Sequence, residues 1–243
     1  MANDIVLKNV TKRYKNTVAV DNLSLEIKGG EFVSLLGVNG AGKTTTIKML
    51  SCLTAPDEGD AFLGGHSVRT EASEVKKIIG VSPQETAVAP LLTVRENVEF
   101  IAGIYGFSKE KIKEKTEETL SSFGLTEEAD KKAKNLSGGM MRRLSIALAL
   151  VSEPEILFLD EPTLGLDVIA RRELWKKISA LKGKITVVLT THYLEEAEAL
   201  SDRIAVMKKG KLLTVGTAEE IVAETGEKNF EDAFVALTSG GNL

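Results

Sequence analysis

The stretch Gly37-Val38-Asn39-Gly40-Ala41-Gly42-Lys43-Thr44 decides the fold. It matches G-x-x-x-x-G-K-[ST], the pattern of a loop that wraps phosphate groups, and it lies between a short apolar strand predicted at 31–36 and a helix predicted at 44–53. Glycines let backbone N–H groups approach a polyphosphate, and the helix that follows adds unpaired donors and the positive end of its dipole. This order of strand, loop and helix predicts a nucleotide site in an α/β protein.

Each part of this loop predicts a contact. Lys43 is expected to reach the β and γ phosphates, and the Thr44 hydroxyl is expected to ligate Mg²⁺. The alternative, a glycine-rich turn that binds no ligand, is disfavoured by the strand and the helix on either side. We therefore predict nine consecutive nucleotide-binding residues: Gly37, Val38, Asn39, Gly40, Ala41, Gly42, Lys43, Thr44 and Thr45.

The rest of the chain alternates strands and helices. Strands are predicted at 156–159 and 185–190, and helices at 144–151 and 169–181, which favours a predominantly parallel sheet. Residues 93–123 are helical in character and rich in Lys and Glu at 108–119, so they indicate an inserted helical subdomain.

Composition excludes several classes of protein. The 243 residues fit one large domain with a subdomain, and 43 % hydrophobic with 27 % charged residues is ordinary for soluble globular proteins. Apolar runs such as 146–151 are far shorter than the roughly 18 residues that a membrane span needs. Residues 1–12 lack the apolar region of a secretory signal, and Cys52 is the single cysteine, so we expect a reducing cytosol. A net charge of −4 argues against a nucleic-acid coat, and no nucleic-acid partner is expected.

Two adjacent carboxylates follow the apolar strand at 156–159. Parallel sheets present ligand-binding groups at the carboxyl ends of their strands, so Asp160 is predicted to hold the metal and its water shell. Glu161 adds a second negative charge, and we interpret it as the base that polarises the attacking water. The alternative is a solvated strand end.

A second glycine turn, Leu136-Ser137-Gly138-Gly139-Met140, also opens a helix. One nucleotide has one triphosphate tail, so this turn has two possible roles. It is either a loop capped by Ser137, or it serves a nucleotide that another copy of the chain holds.

Taken together, these motifs resemble the nucleotide-binding subunit of ATP-binding cassette (ABC) transporters. The resemblance rests on the phosphate loop, the second glycine turn, the Asp160-Glu161 pair and His192 after the strand at 185–190. It implies a single ABC ATPase domain over 1–243, with a mostly parallel P-loop NTPase core (1–90 and 153–216) and an antiparallel β subdomain. It also implies a helical subdomain at 91–152 and a short C-terminal helical extension at 217–243.

The resemblance also implies roles that composition does not assign. Tyr14 matches the aromatic residue that stacks on adenine, Gln84 the glutamine that meets Mg²⁺ and water, and His192 the histidine at the γ phosphate. Each residue also has a purely structural alternative to this role: rim packing for the tyrosine, a loop position for the glutamine, and an ordinary polar contact for the histidine. In a head-to-tail dimer, Ser137, Gly138 and Gly139 of one chain would close over ATP bound to Lys43 of the other, and Asp167 would contact the opposite site. The implied catalytic residues are Glu161, His192 and Lys43, and the implied metal ligands are Thr44, Gln84 and Asp160.

Two positions depart from the common pattern, and three segments indicate a branch. Met140 stands where glutamine is usual, and Leu164 replaces a more polar residue. The segments Ser-Gly-Gly-Met-Met-Arg-Arg-Leu from Ser137, Thr-Thr-His-Tyr-Leu-Glu-Glu-Ala from Thr190 and Asn-Phe-Glu-Asp-Ala-Phe from Asn229 resemble the type-2 export branch.

The implied function is a Mg²⁺-dependent ATPase that dimerises on ATP and drives a separate permease, expected to be an exporter, from the cytoplasmic face of the cell membrane. The apolar run at 91–105 is expected either to line a docking groove for the permease or simply to pack in the core. The alternatives are a soluble ABC-type ATPase of DNA repair or translation, and a regulatory module that never hydrolyses ATP. Repair ATPases usually carry a long insertion before the second glycine turn, whereas Ser137 follows Lys43 by only 94 residues.

Overall fold

The computed structural model describes residues 4–239. The strands are β1 (Ile5–Tyr14), β2 (Thr17–Ile27), β3 (Phe32–Leu36), β4 (Glu58–Leu63), β5 (His66–Ser67), β6 (Ile79–Ser82), β7 (Ile156–Asp160), β8 (Thr186–Thr191), β9 (Arg203–Lys208) and β10 (Lys211–Gly216). The helices are α1 (Lys43–Leu50), α2 (Ala72–Ile78), α3 (Val94–Ile104), α4 (Lys109–Phe123), α5 (Gly138–Leu150), α6 (Val168–Ser179), α7 (Leu194–Leu200), α8 (Ala218–Thr225) and α9 (Phe230–Ser239). None of the helices within 4–239 is both long enough and apolar enough to cross a membrane.

The larger sheet has the strand order β10-β9-β3-β8-β7-β6. Neighbouring strands from β9 to β6 run parallel, and β10 pairs antiparallel with β9 as the second strand of a hairpin. Every residue of β3, β7 and β8 is buried, as expected for parallel strands whose two faces are both covered. This confirms the predicted α/β fold with a mostly parallel sheet.

The smaller sheet is antiparallel, with the order β2-β1-β4-β5. Its apolar residues share one core with α1 and one face of the larger sheet; Ile5, Val20 and Ile27 pack there with Val33 and Ile47. The antiparallel β unit expected from the resemblance is therefore present, and it lies against the face of the parallel sheet that carries α1.

The predicted helical stretch at 93–123 consists of two helices. Gly106, with a φ of +75°, lies between them, and the Ser108 hydroxyl caps α4 by accepting a hydrogen bond from the N–H of Lys111. A capping box between Thr93 and Glu96 begins α3. Together with α5 and α6, these helices cover the other face of the parallel sheet.

Helix α5 begins earlier than the sequence predicts. The prediction placed the helix at 144–151 and the glycines in a turn before it, but Gly138 and Gly139 are the first two residues of the helix and Ser137 is its N-cap. Glycine has a low helix propensity in a helix interior, whereas the first turn leaves its N–H groups free and tolerates it. The sequence reading also missed α2, and α8 and α9 lie within the expected C-terminal extension, of which 240–243 fall outside the described residues.

Candidate nucleotide-binding site

A pocket of about 590 Å³ opens where β3 leads into α1. Its lining includes Thr17, Val18, Ala19 and Leu164, of which the sequence had singled out Leu164 alone, as a departure from the common pattern. It also brings together ten of the predicted site residues: Asn39, Gly40, Ala41, Gly42, Lys43, Thr44, Thr45, Gln84, Glu161 and His192.

The loop backbone depends on its glycines. Gly40 and Gly42 have φ values of +80° and +101°, a left-handed region that other residues rarely adopt. A Cβ on Gly42 would lie 2.5 Å from the carbonyl oxygen of Ala19, and a Cβ on Gly37 would lie 2.4 Å from that of Met207. Gly42 is also the N-cap residue of α1, so the first N–H groups of this helix meet no capping side chain and can bind an anion.

The Lys43 side chain is buried beneath this loop. Its Nζ donates hydrogen bonds to the carbonyl oxygens of Gly37 (2.6 Å) and Val38 (3.3 Å) and lies 3.6 Å from Oε1 of Glu161. Burial lowers the pKa of the ammonium group, and the neighbouring carboxylates of Glu161 and Asp160 partly oppose this effect. A phosphate in the loop would supply further negative charge and would stabilise the ammonium form.

Glu161 occupies a strained position at the end of β7. Its φ of +50° is unusual for a residue with a side chain, and its N–H donates to Oγ1 of Thr190 at 3.0 Å. Oε2 of the carboxylate lies 2.7 Å from Nδ1 of His192, and the side chain is only 7 % exposed. The carboxylate therefore lies between a cation and an imidazole at the pocket wall.

Asp160 and Thr44 form a set of oxygen donors beside this pair. The Thr44 hydroxyl donates to Oδ1 of Asp160 at 3.1 Å, and the Thr190 hydroxyl donates to the same oxygen at 2.5 Å. Mg²⁺ prefers oxygen ligands and usually takes one or two carboxylates together with substrate phosphates and water. The hydroxyl and carboxylate oxygens fit that ion, with the exposed Gln84 on the pocket wall as a further oxygen donor.

Several predicted residues lie outside the lining of this pocket. Tyr14 is 45 % exposed, and its ring centroid lies 5.6 Å from Nζ of Lys12. Asp167 caps α6 by accepting hydrogen bonds from the N–H groups of Ile169 and Ala170, both at 2.9 Å. Gly37, Val38 and Asp160 contribute to the pocket through Lys43 and Thr44 rather than by lining it.

The second glycine turn lies against the start of α6. Ser137 caps α5 by accepting a hydrogen bond from the N–H of Met140 at 3.3 Å, and a Cβ on Gly139 would lie 3.2 Å from the Cβ of Ala170. Ser137 and Gly138 are exposed. The capping role left open by the sequence is therefore present, and the exposed surface of the turn remains available to a second molecule.

Sequence reasoning missed two residues that organise the site. Thr190 hydrogen-bonds both Asp160 and Glu161, and the buried Arg142 donates to carbonyl oxygens at the ends of β6 and β7. Thr190 belongs to an apolar strand and gives no local signal. For Arg142, the available signal was a charged residue two positions before the largely apolar helix predicted at 144–151.

Sequence comparisons identify relatives across the chain. The family model described as "ABC transporter" matches residues 20–164. The linearmycin resistance ATP-binding protein LnrL of Bacillus subtilis (strain 168) is 39 % identical over 96 % of this chain and 74 % of its own length. The daunorubicin resistance ATP-binding protein DrrA3 of Streptomyces coeruleorubidus is 41 % identical over 98 % of this chain and 75 % of its own length. The human phospholipid-transporting ATPase ABCA3 is 39 % identical over 88 % of this chain, which corresponds to 13 % of that protein.

Solved structures of ABC ATP-binding subunits and cassettes superpose on most of this chain. The ATP-binding subunit of an ABC transporter superposes with a TM-score of 0.85 at 27 % identity and covers 96 % of this chain and 98 % of its own. An ATP-binding cassette in a dimeric, post-hydrolysis state bound to ADP and Pi superposes with a TM-score of 0.80 at 34 % identity, over 88 % of this chain and 98 % of its own.

Proposed function

This chain belongs to the ABC transporter family as an ATP-binding domain with relatives in the type-2 export branch, and from this premise we propose that it hydrolyses ATP with Mg²⁺ to drive a separate membrane permease, an exporter. The observation that carries the proposal is the position of the Glu161 carboxylate, 3.6 Å from Nζ of Lys43 and 2.7 Å from Nδ1 of His192. A buried carboxylate at the wall of a phosphate-binding pocket is suited to accept a proton from an attacking water.

The residues divide the chemistry between them. The loop N–H groups and Lys43 bind the phosphate tail and orient the γ phosphate. Thr44, Asp160 and Gln84 would hold Mg²⁺, which, when bound, neutralises charge on the phosphate oxygens. Glu161 takes the proton of the water, and His192 fixes the orientation of the carboxylate and faces the γ phosphate.

The base of the nucleotide is proposed to stack on Tyr14. Its ring is about half exposed, and Val18 on the neighbouring strand is 43 % exposed. Tyr14 pairs in register with Thr17, which lines the pocket, so its exposed ring is next to the pocket and suits a planar purine, because stacking needs a flat apolar surface.

A second copy of the chain is proposed to complete the site. The exposed Ser137 and Gly138 lie near α6, whose first residues Val168 and Ile169 are 61 % and 73 % exposed. Exposed apolar side chains beside an exposed helix N-terminus favour a surface that another protein covers. In a head-to-tail dimer, this surface and Asp167 would close over ATP held by the partner chain.

The permease is proposed to dock in a groove beside the Gln84 loop, which would place the protein on the cytoplasmic face of the membrane. The buried face of α3 packs in the core, as the alternative reading of its apolar residues expects. On its other face, Ile104 and Tyr105 are 64 % and 48 % exposed, and with Leu53 and Ala87 they line the groove. These residues suit an apolar helix of a partner.

Glu161→Gln tests the proposed reaction. The amide keeps the size of the carboxylate but does not accept the proton, so phosphate release should fall by roughly 10² to 10⁴-fold while ATP still binds. Glu155→Gln, an exposed residue at the other end of the same strand region, serves as the matched control and should release phosphate at the parent rate. Hydrolysis by Glu161→Gln at the parent rate would remove Glu161 from the reaction.

A further inference from the structure

Arg142 is a buried cation bonded entirely to backbone oxygen. The residue is 5 % exposed, and its guanidinium has five N–H donors. The structure gives five hydrogen bonds, to the carbonyl oxygens of Pro162 (2.8 Å), Pro83 (2.6 Å), Gln84 (3.2 Å), Asp160 (2.5 Å) and Glu161 (2.8 Å). The number of donors and the number of acceptors match, which neither lysine nor glutamine can reproduce.

The Glu161 backbone needs such support. Its left-handed φ of +50° costs free energy for a residue with a Cβ, and such a conformation persists where neighbouring groups fix it. Thr190 holds the Glu161 N–H, and Arg142 holds its carbonyl oxygen. The two contacts fix the peptide groups on both sides of the Glu161 Cα, and with them the direction of its carboxylate.

The same guanidinium holds the loop that carries Gln84. Nη1 bonds the carbonyl oxygens of Pro83 and Gln84, which follow β6 directly. Helix α5 comes this close because Gly80 has no side chain: a Cβ there would lie 2.1 Å from the carbonyl oxygen of Ala149. A buried hydrogen bond of 3.0 Å between the hydroxyls of Ser82 and Ser145 fixes the register of helix and strand.

We propose that Arg142 is a positioning residue for hydrolysis, which holds the Glu161 backbone and the Gln84 loop in the geometry that turnover needs. This inference rests on the proposed role of Glu161. Arg142 is not among the residues that line the pocket, and its five hydrogen bonds go to residues outside the phosphate loop at 37–45, so its loss should reduce kcat and leave ATP binding largely intact.

Arg142→Lys tests the proposal, because it keeps the positive charge and has three donors in place of five. Misplacing a reacting group by a fraction of an ångström to an ångström costs up to about 10²-fold, so kcat should fall by roughly 10- to 100-fold. The KM for ATP should stay within about threefold of the parent value. Arg69→Lys is the matched control, because the exposed Arg69 also donates to a backbone carbonyl oxygen, that of Gly59 at 3.1 Å, and its variant should keep the parent kcat.

A second variant tests the guanidinium itself. Arg142→Ala leaves a space of the shape of that group, and millimolar guanidinium chloride should restore part of the lost kcat in a saturable manner, whereas ammonium chloride at equal ionic strength should not. Thermal melting and ATP titration of the same variants, repeated in the Glu161→Gln background where ATP is not consumed, report folding and binding.

The outcomes separate this inference from the proposed function. Parent-like kcat in Arg142→Lys, with Glu161→Gln inactive, overturns the inference alone. An equal loss of ATP affinity and kcat, or loss of the folded state in both Arg142 variants, assigns Arg142 a general structural role and also overturns it. A parent chain that releases no phosphate contradicts the proposed function, and the inference falls with it.

Discussion

Lys43→Met should abolish the stabilisation of the protein by ATP without destabilising the protein itself. In the folded chain, burial outweighs the attraction of Glu161, whose Oε1 lies 3.6 Å from Nζ, and it lowers the pKa of the ammonium group. Methionine has a similar length and no charge to desolvate. Removal of this desolvation cost opposes the loss of the hydrogen bonds to the carbonyl oxygens of Gly37 and Val38, so the variant should melt, without nucleotide, near the temperature of the parent.

The size of the ATP effect follows from the proposed contacts. Hydrogen bonds from a charged group contribute about 1.5–3 kcal/mol each, so losing two bonds to phosphate costs about 3 kcal/mol or more and raises Kd at least about 100-fold. At about one hundred times its Kd, ATP stabilises the parent by about 2.7 kcal/mol. A chain of 243 residues has an unfolding entropy of about 0.5 kcal/mol per degree, so the melting temperature rises by about 5 °C. In the variant, the same ATP concentration should raise it by less than about 1 °C.

Differential scanning fluorimetry with and without ATP and Mg²⁺ measures both quantities. Lys48→Met is the matched control, because Lys48 lies on the same helix but is exposed, and it should keep the full ATP shift. A Lys43→Met variant that keeps the 5 °C shift would refute the assignment of Lys43 to the phosphates.

Two further predictions concern a buried carboxyl group and the proposed docking groove. Burial, with the nearby charge of Glu161, raises the pKa of Glu196, so the parent should lose stability as the pH rises from about 4 through that pKa. Glu196→Gln removes this titration and keeps an acceptor for the Trp175 indole N–H. The melting temperature of the variant minus that of the parent should therefore increase from about pH 4 to about pH 8. A difference that stays constant with pH would contradict the burial argument. Ile104→Asp should keep the parent ATPase activity in detergent-free solution, but the permease should no longer co-purify with it from membranes. The control Lys113→Asp, on the exposed side of α4, should still co-purify with the permease. Co-purification of the permease with Ile104→Asp would place the docking surface elsewhere.

The sequence predicted those parts of the site that depend on neighbouring residues. The phosphate loop and the Asp160-Glu161 pair could be identified because each lies at the end of a strand with a clear apolar pattern. The start of α5 was misplaced because the helix propensity of glycine says nothing about a first turn whose N–H groups are free.

Contacts between distant segments could not be predicted in the same way. Arg142 meets residues 83–84 and 160–162 only after α5 has packed on β6, and that packing depends on the absence of a side chain at Gly80. Thr190 meets Asp160 because β7 and β8 pair in parallel register. Arg142 and Thr190 both bond the backbone of Glu161, whose left-handed φ requires support from distant segments.

A mixture of Lys43→Ala and Ser137→Arg chains tests the central claim most directly, namely that ATP is hydrolysed in a site shared by two copies. Each homodimer should be inactive. Lys43→Ala lacks the ammonium group that binds the phosphates, and Ser137→Arg places a long side chain on the surface that closes over the partner's ATP. A mixed dimer has one site with both defects and one site with neither, so phosphate release should partly return. ATP-dependent heterodimer formation is measured in the same samples, since it shows that the two chains have met. Activity that returns on mixing supports the shared site, and an active Ser137→Arg homodimer contradicts it.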